Sequence, residues 1–215
     1  MVTMKSIAYQ LHEAFNGLTR FHFPFEEKES IIPQNGIYCL FEKGEYFGPF
    51  DRIVRIGSHT GKDRLLFRLK EHFLNPNKDR SIFRKNIGLA MLNKANDPYI
   101  KVWKIDMTPR ATRLEYKNVV NKEYQAQIEE KITAYIQENM SFCVIPIKEH
   151  KDRVYWESKL IPTLAQSSDA GSSQGWLGHY SPKEKIRKYG MWQEQLTENT
   201  PMNERDLEEF FSIIK

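Results

Sequence analysis

The chain has 215 residues, 28% of them charged and 40% hydrophobic, with a formal net charge of +4 at pH 7. That length suits one sizeable domain with appendages, and the balance excludes a disordered chain. No apolar run reaches membrane-spanning length and no signal-peptide core opens the chain, so a cytoplasmic protein without a membrane partner is expected, while the mild positive charge permits nucleic-acid partners without requiring them.

Residues 5–15 read as a short helix with Ile7, Leu11 and Phe15 on one side, stopped at Gly17. Phe21, Phe23 and Phe25 alternate with other residues, as in an extended segment that adds an edge strand or covers the core. His12 and His22 read as packing or surface histidines. Ile37–Phe41 and Arg52–Ile56 are two short apolar segments joined by a polar connection rich in Gly and aromatics, the signal for a β-hairpin with a longer loop. A charged helix follows from about Lys62 or Asp63. On it Arg64, Arg68 and His72 recur at spacings of four and share a face, opposite a stripe of Leu65, Leu66, Leu69 and Phe73.

After a loop to Arg80, Ser81 caps a helix running to Leu92 with Phe83, Ile87, Ala90 and Met91 as its apolar stripe. Arg80, Arg84 and Lys85 surround its first turns. They are either solvated helix charges or, together with the helix N-terminus, a clasp for a phosphate. Tyr99–Ile105 alternates as a strand does, and Asn118–Asn139 reads as a long amphipathic helix with Glu129 and Glu130 on its solvated face. Ser141–Ile147 reads as a buried strand. Cys39 and Cys143 lie in apolar β-like segments and read as buried thiols of a reducing compartment.

Arg153–Leu164 reads as a helix in which Glu157 sits amid an apolar stripe of Val154, Leu160, Ile161 and Leu164. A carboxylate there is costly unless paired with an arginine, protonated or bound to a metal. Gln166–Gln174 is a polar loop, Trp176 and Trp192 read as core aromatics, and a basic helix carrying Arg187 runs from Ser181 to a stop at Gly190. The last helix, Glu204–Ile214, either caps the domain or meets a second subunit in a homodimer.

Gly36-Ile37-Tyr38, then Arg55-Ile56-Gly57, then the Arg68 to His72 helix, taken in this order, resemble the opening of a GIY-YIG nuclease. Arg55 stands where that family usually has its second tyrosine, followed by Ser58-His59, as in a branch with Arg-Ile-Gly. The Ser81 to Arg84 stretch is similar to a Ser-x-x-Arg helix of family members. Glu157 falls in a Glu-x-x-Leu-Ile setting like that of the family's metal-binding glutamate. An asparagine that supports the site before Trp-Leu-Gly has no counterpart here, where Gln174 or Gly175 stands.

The resemblance implies an α/β (α+β) fold, a small, mostly antiparallel sheet flanked by helices, in which Tyr99–Ile105 and Ser141–Ile147 are additional strands. Its implied extent is residues 36–192, with residues 1–35 an N-terminal extension packing on the core and residues 193–215 a helical tail. It further implies metal-dependent hydrolysis of phosphodiester bonds in double-stranded DNA. Tyr38 would position or deprotonate the water, and Glu157 would hold one Mg²⁺ or Mn²⁺. Arg68 would brace the phosphate, His72 would relay a proton or orient Tyr38, and Arg55 would supply a cation beside the tyrosine. Arg64, Arg80, Arg84, Lys85 and Arg187 are the expected phosphate contacts. The alternative is a nucleic-acid-binding module that keeps the fold without turnover.

Overall fold

The computed structural model describes residues 5–169 and 171–214. In chain order the elements are α1 (Ile7–Asn16), β1 (Phe21–His22), β2 (Gly36–Phe47), β3 (Phe50–Gly57), α2 (Leu65–Phe73), α3 (Ile82–Lys94), α4 (Ile100–Trp103), α5 (Arg110–Glu115), α6 (Lys122–Asn139), β4 (Met140–Pro146), α7 (His150–Ala165), α8 (Glu184–Tyr189) and α9 (Glu204–Ile213). The sheet has four strands in the order β1-β4-β2-β3, and every neighbouring pair is antiparallel.

The strands read as near-continuous apolar runs because both faces of the sheet are covered. Tyr38, Leu40, Val54, Phe142 and Val144 point into one core, shared with apolar residues of α2, α3 and α6 and with Trp176 and Trp192. Ile37, Cys39, Ile53, Ile56 and Cys143 point into a second core, completed by α1, α7 and α9. The result is three layers, with helices on either side of a small antiparallel sheet. Cys39 and Cys143 lie opposite each other across β2 and β4 as buried free thiols.

The hairpin differs from the expected one in its reach. β2 and β3 extend to Phe47 and from Phe50, leaving a two-residue turn rather than a long loop. Polar residues enter these strands because other segments satisfy them. Glu42 accepts from the Nε1 groups of Trp176 and Trp192, both at 2.8 Å, and from the Tyr135 hydroxyl. Glu45 pairs with buried Arg52 and accepts from Ser173.

Two expectations fail on tertiary contacts. Tyr99–Ile105 is not a strand: Ile100–Trp103 is helical, started by the Tyr99 N–H donating to Asp97 Oδ1 at 2.8 Å. Trp103 is buried against α3, where it donates to the Lys85 carbonyl at 3.0 Å and lies over Gly88. Period-two alternation over so short a stretch also places Ile100 and Trp103 three apart, which one helical turn can use. In α7, Val154 is exposed and leaves the apolar stripe, which Trp156, Leu160, Ile161 and Leu164 form instead.

Candidate active site

β3 is one of the two edge strands, and a cavity of about 660 Å³ lies beside it, with α2 contributing from one helical layer and α7 from the other. Tyr38, Arg55, Arg68 and Glu157 all line it, as do Arg64 and Arg80. A β-bulge aims Arg55. Leu40 lies opposite Arg55 and Phe41 opposite Ile53, so Val54 is the extra residue. Ile53 and Ile56 thereby both enter the second core, while the Arg55 guanidinium lies over Phe83 of the first, 5.5 Å from its ring. The bulge is held from outside by the Trp192 N–H, which donates to the Val54 carbonyl at 2.7 Å.

The motif glycines are set by close approach. A Cβ on Gly57 would fall 2.3 Å from the Tyr38 hydroxyl, and one on Gly36 would fall 2.4 Å from the Ile145 carbonyl oxygen. Any larger residue at position 57 would displace the phenol.

Behind the cavity the Tyr38 hydroxyl meets His72 Nε2 at 2.7 Å, and His72 Nδ1 meets Ser81 Oγ at 2.7 Å. Ser81 Oγ also accepts from the Arg84 N–H at the start of α3. Burial holds the His72 pKa well below its ordinary value, and Arg68, Arg55 and Arg84 push it the same way. The imidazole is therefore neutral and carries a single N–H. With that proton on Nδ1 it donates to Ser81 and accepts from the tyrosine; with it on Nε2 the phenol oxygen becomes the acceptor.

Arg68 is half-buried, and its Nη1 donates to Glu71 Oε2 and to the Arg80 carbonyl, both at 2.8 Å. Burial opposes its charge, but the Tyr38 oxygen and Glu71 outweigh that and raise its pKa. Arg55 is buried; its Nη1 donates to the Trp192 carbonyl, and its Nε has no protein partner. Glu157 accepts from the Ser58 hydroxyl and forms no ion pair among the described residues. Burial raises its pKa; Ser58, Arg55 and Arg153 pull in the opposite direction without overcoming it. It is a carboxylate held half-desolvated beside a cavity, with cations near but none in contact.

The expected phosphate contacts divide. Arg64 is exposed, with its guanidinium 3.9 Å from the Phe67 ring, and Arg80 is exposed, 3.6 Å from Glu71. Both face the cavity. Arg84 does not: it is fully buried, bonds Glu129 Oε2 through Nε at 3.0 Å and Nη2 at 2.7 Å, and reaches the His72 carbonyl and Thr133. It cannot meet a phosphate, and its partner Glu129 is buried rather than on a solvated face. Both assignments are corrected by one fact, that α3 and α6 pack together and the two charges neutralise each other between them. Lys85 sits 3.7 Å from Asp79, outside the cavity lining, and exposed Arg187 turns its Nη1 to the Ser181 carbonyl, also outside it.

Other groups enter that the linear pattern does not mark. Gln193 and Gln195 line the cavity, whereas Gln174 is exposed away from it. Gln193 and Gln195 reach it because the stretch around Trp192 is tied to the bulge of β3. Ser58 supports Glu157. His59, with its pKa lowered to about 4 by burial and by Arg153, accepts the Gly36 N–H at Nε2 and donates to the Gly61 carbonyl at 3.0 Å, tying the loop to the start of β2.

The chain matches the GIY-YIG domain family over residues 4–215 and belongs to it. No curated protein and no solved structure shows a significant match to the chain.

Proposed function

We propose that this chain is a metal-dependent endonuclease that hydrolyses phosphodiester bonds in double-stranded DNA. One observation carries the reading: Tyr38, Arg55, Arg68 and Glu157, from four different elements, open onto a single cavity, with His72 hydrogen-bonded behind the tyrosine. Family membership supports it.

The donor chemistry around Glu157 fits Mg²⁺ or Mn²⁺. Among the described residues no group of three or more His, Cys, Asp or Glu could hold a metal. A hard ion that keeps most of its waters needs only one protein carboxylate beside substrate phosphate oxygens, and Glu157 offers one that no arginine neutralises. When bound, the ion would neutralise charge on the phosphate and make bound water more acidic.

Tyr38 positions the attacking water through its hydroxyl oxygen, and the proton the water gives up leaves to solvent through the open cavity. Arg68 and Arg55 supply positive charge beside the attacking oxygen. The same guanidiniums disfavour an imidazolium at His72, so His72 orients Tyr38 rather than storing its proton. Arg68, fixed by Glu71 and the Arg80 carbonyl, presents its remaining N–H groups to phosphate oxygens. Arg55 takes the place of the second motif tyrosine as a fixed cation between Tyr38 and Glu157.

The replacement of that tyrosine by Arg55 also favours a second reading, a nucleic-acid-binding module without turnover. Incubation with supercoiled plasmid and short duplexes in Mg²⁺ or Mn²⁺ separates the two. Defined cuts, abolished by EDTA, are expected; binding with no cleavage at any metal concentration would leave only the module.

A further inference from the structure

A concentration of unpaired positive charge lies outside the cavity. Residues 101–122 carry six Lys and Arg against Asp106 and Glu115, a net of +4 that equals the formal charge of the whole chain. All six are exposed. Among the described residues, the side chains of Lys101, Lys104, Arg110, Lys117 and Lys122 form no ion pair. In the cavity, Arg68 and Arg80 by contrast share Glu71. Arg113 is spent locally, donating to the Met107 carbonyl at 3.0 Å and to the Thr108 carbonyl, which closes the loop ahead of α5.

Beyond Trp103 the core does not use this segment. No residue from Lys104 to Gln127 is buried, and Leu114 and Val119 are 66% and 52% exposed. Its base is nonetheless fixed beside the cavity: Lys78 Nζ donates to the Ile105 carbonyl at 2.6 Å and to Asp79 Oδ1 at 2.8 Å, and Asp79 lines the cavity. A segment with no fully buried residue, with a net positive charge and rooted at the rim of a phosphate site, suits a regular polyanion.

We propose that residues 104–122 form an arm that grips duplex DNA beside the cavity, with Lys104, Arg110, Lys117 and Lys122 on successive phosphates. This rests on reading the cavity as a DNA site and adds how the duplex is held there. Phosphate contacts position without reading sequence, so the arm would set affinity and salt dependence rather than the cleavage site.

The test is a triple variant, Lys104→Gln, Arg110→Gln and Lys117→Gln, all at exposed positions. Binding to 12- and 30-base-pair duplexes is titrated in EDTA from low to moderate salt. Each lost phosphate contact removes about 0.9 from the slope of log affinity against log salt, so the 30-base-pair slope should fall by about 2 to 3 and affinity by roughly tenfold or more. The 12-base-pair duplex should lose less. Affinity and slope for the 30-base-pair duplex equal to wild type would overturn the arm while leaving the cavity reading intact. A wild type that binds no duplex even at low salt would overturn the arm together with the reading beneath it. Binding that depends on the arm, without cleavage in metal, would uphold the arm and sink only the nuclease.

Discussion

Replacing Glu157 by Gln keeps the size of the side chain and its bond with Ser58 and removes only the charge. Two stability effects then oppose each other. The bond from the Ser58 hydroxyl changes from a charged to a neutral acceptor, which costs about 1 kcal/mol. The half-desolvated carboxylate, whose pKa burial raises, no longer opposes folding, which returns a similar amount. No arginine is stranded, because among the described residues Glu157 has no ion-pair partner. The net change should lie within about 1 kcal/mol, a Tm shift under roughly 4 °C for a chain of this size. Wild-type protein should gain about 3–5 °C in Mn²⁺ at ten times its Kd, from RT ln(1 + [L]/Kd), and the variant should gain none. Cleavage should fall at least about a hundredfold, the scale of losing one preorganised electrostatic contact, while duplex binding survives. Differential scanning fluorimetry with and without Mn²⁺, beside a plasmid-nicking assay, reads all of these quantities. A variant destabilised by about 3–5 kcal/mol, with wild type indifferent to Mn²⁺, would mean that Glu157 is a structural charge and refute the metal site.

Arg84→Ala should lose about 3–5 kcal/mol in urea melts by stranding Glu129, with the double substitution of both by Met recovering most of it; an unaltered melt would contradict the burial. Gly57→Ala should push the phenol of Tyr38 from its place, costing roughly 1–3 kcal/mol and most of the cleavage rate, whereas a fully active variant would show that the tyrosine hydroxyl is dispensable there. His12 is buried, stacked on Phe47, bonded to the Ala8 carbonyl and accepting the Ile53 N–H, and its pKa is lowered from 6.5 to about 4, chiefly by burial. Its folded form binds fewer protons than the unfolded one. Its contribution, on the order of 3 kcal/mol, is complete above pH 6.5 and lost as the pH falls through 6.5 toward 4. Neutral His72, with its pKa also depressed, acts in the same direction. A Tm that stays level between pH 7 and pH 4.5 would exclude both.

Elements with strong local rules were legible without coordinates: the two strands around Gly36 and Gly57, the Ser81 cap, the long helix before Met140 and the buried strand that follows it. Spacing within one helix placed Arg68 and His72 a turn apart, and an otherwise costly Glu157 announced itself by its apolar setting. Whether a charge ends in a cavity or in a core depends on which surface packs against it, and that is absent from any local pattern. Arg84 and Arg80 are separated by four residues and share composition and context. Only the approach of α6 buries one against Glu129 and leaves the other at the rim. Gln193 reaches the cavity because the chain after Gly190 is tied to a bulge in β3, a long-range contact with no periodic signature. Residue types fixed what chemistry this chain could carry; the packing of its layers decided which of those residues meet.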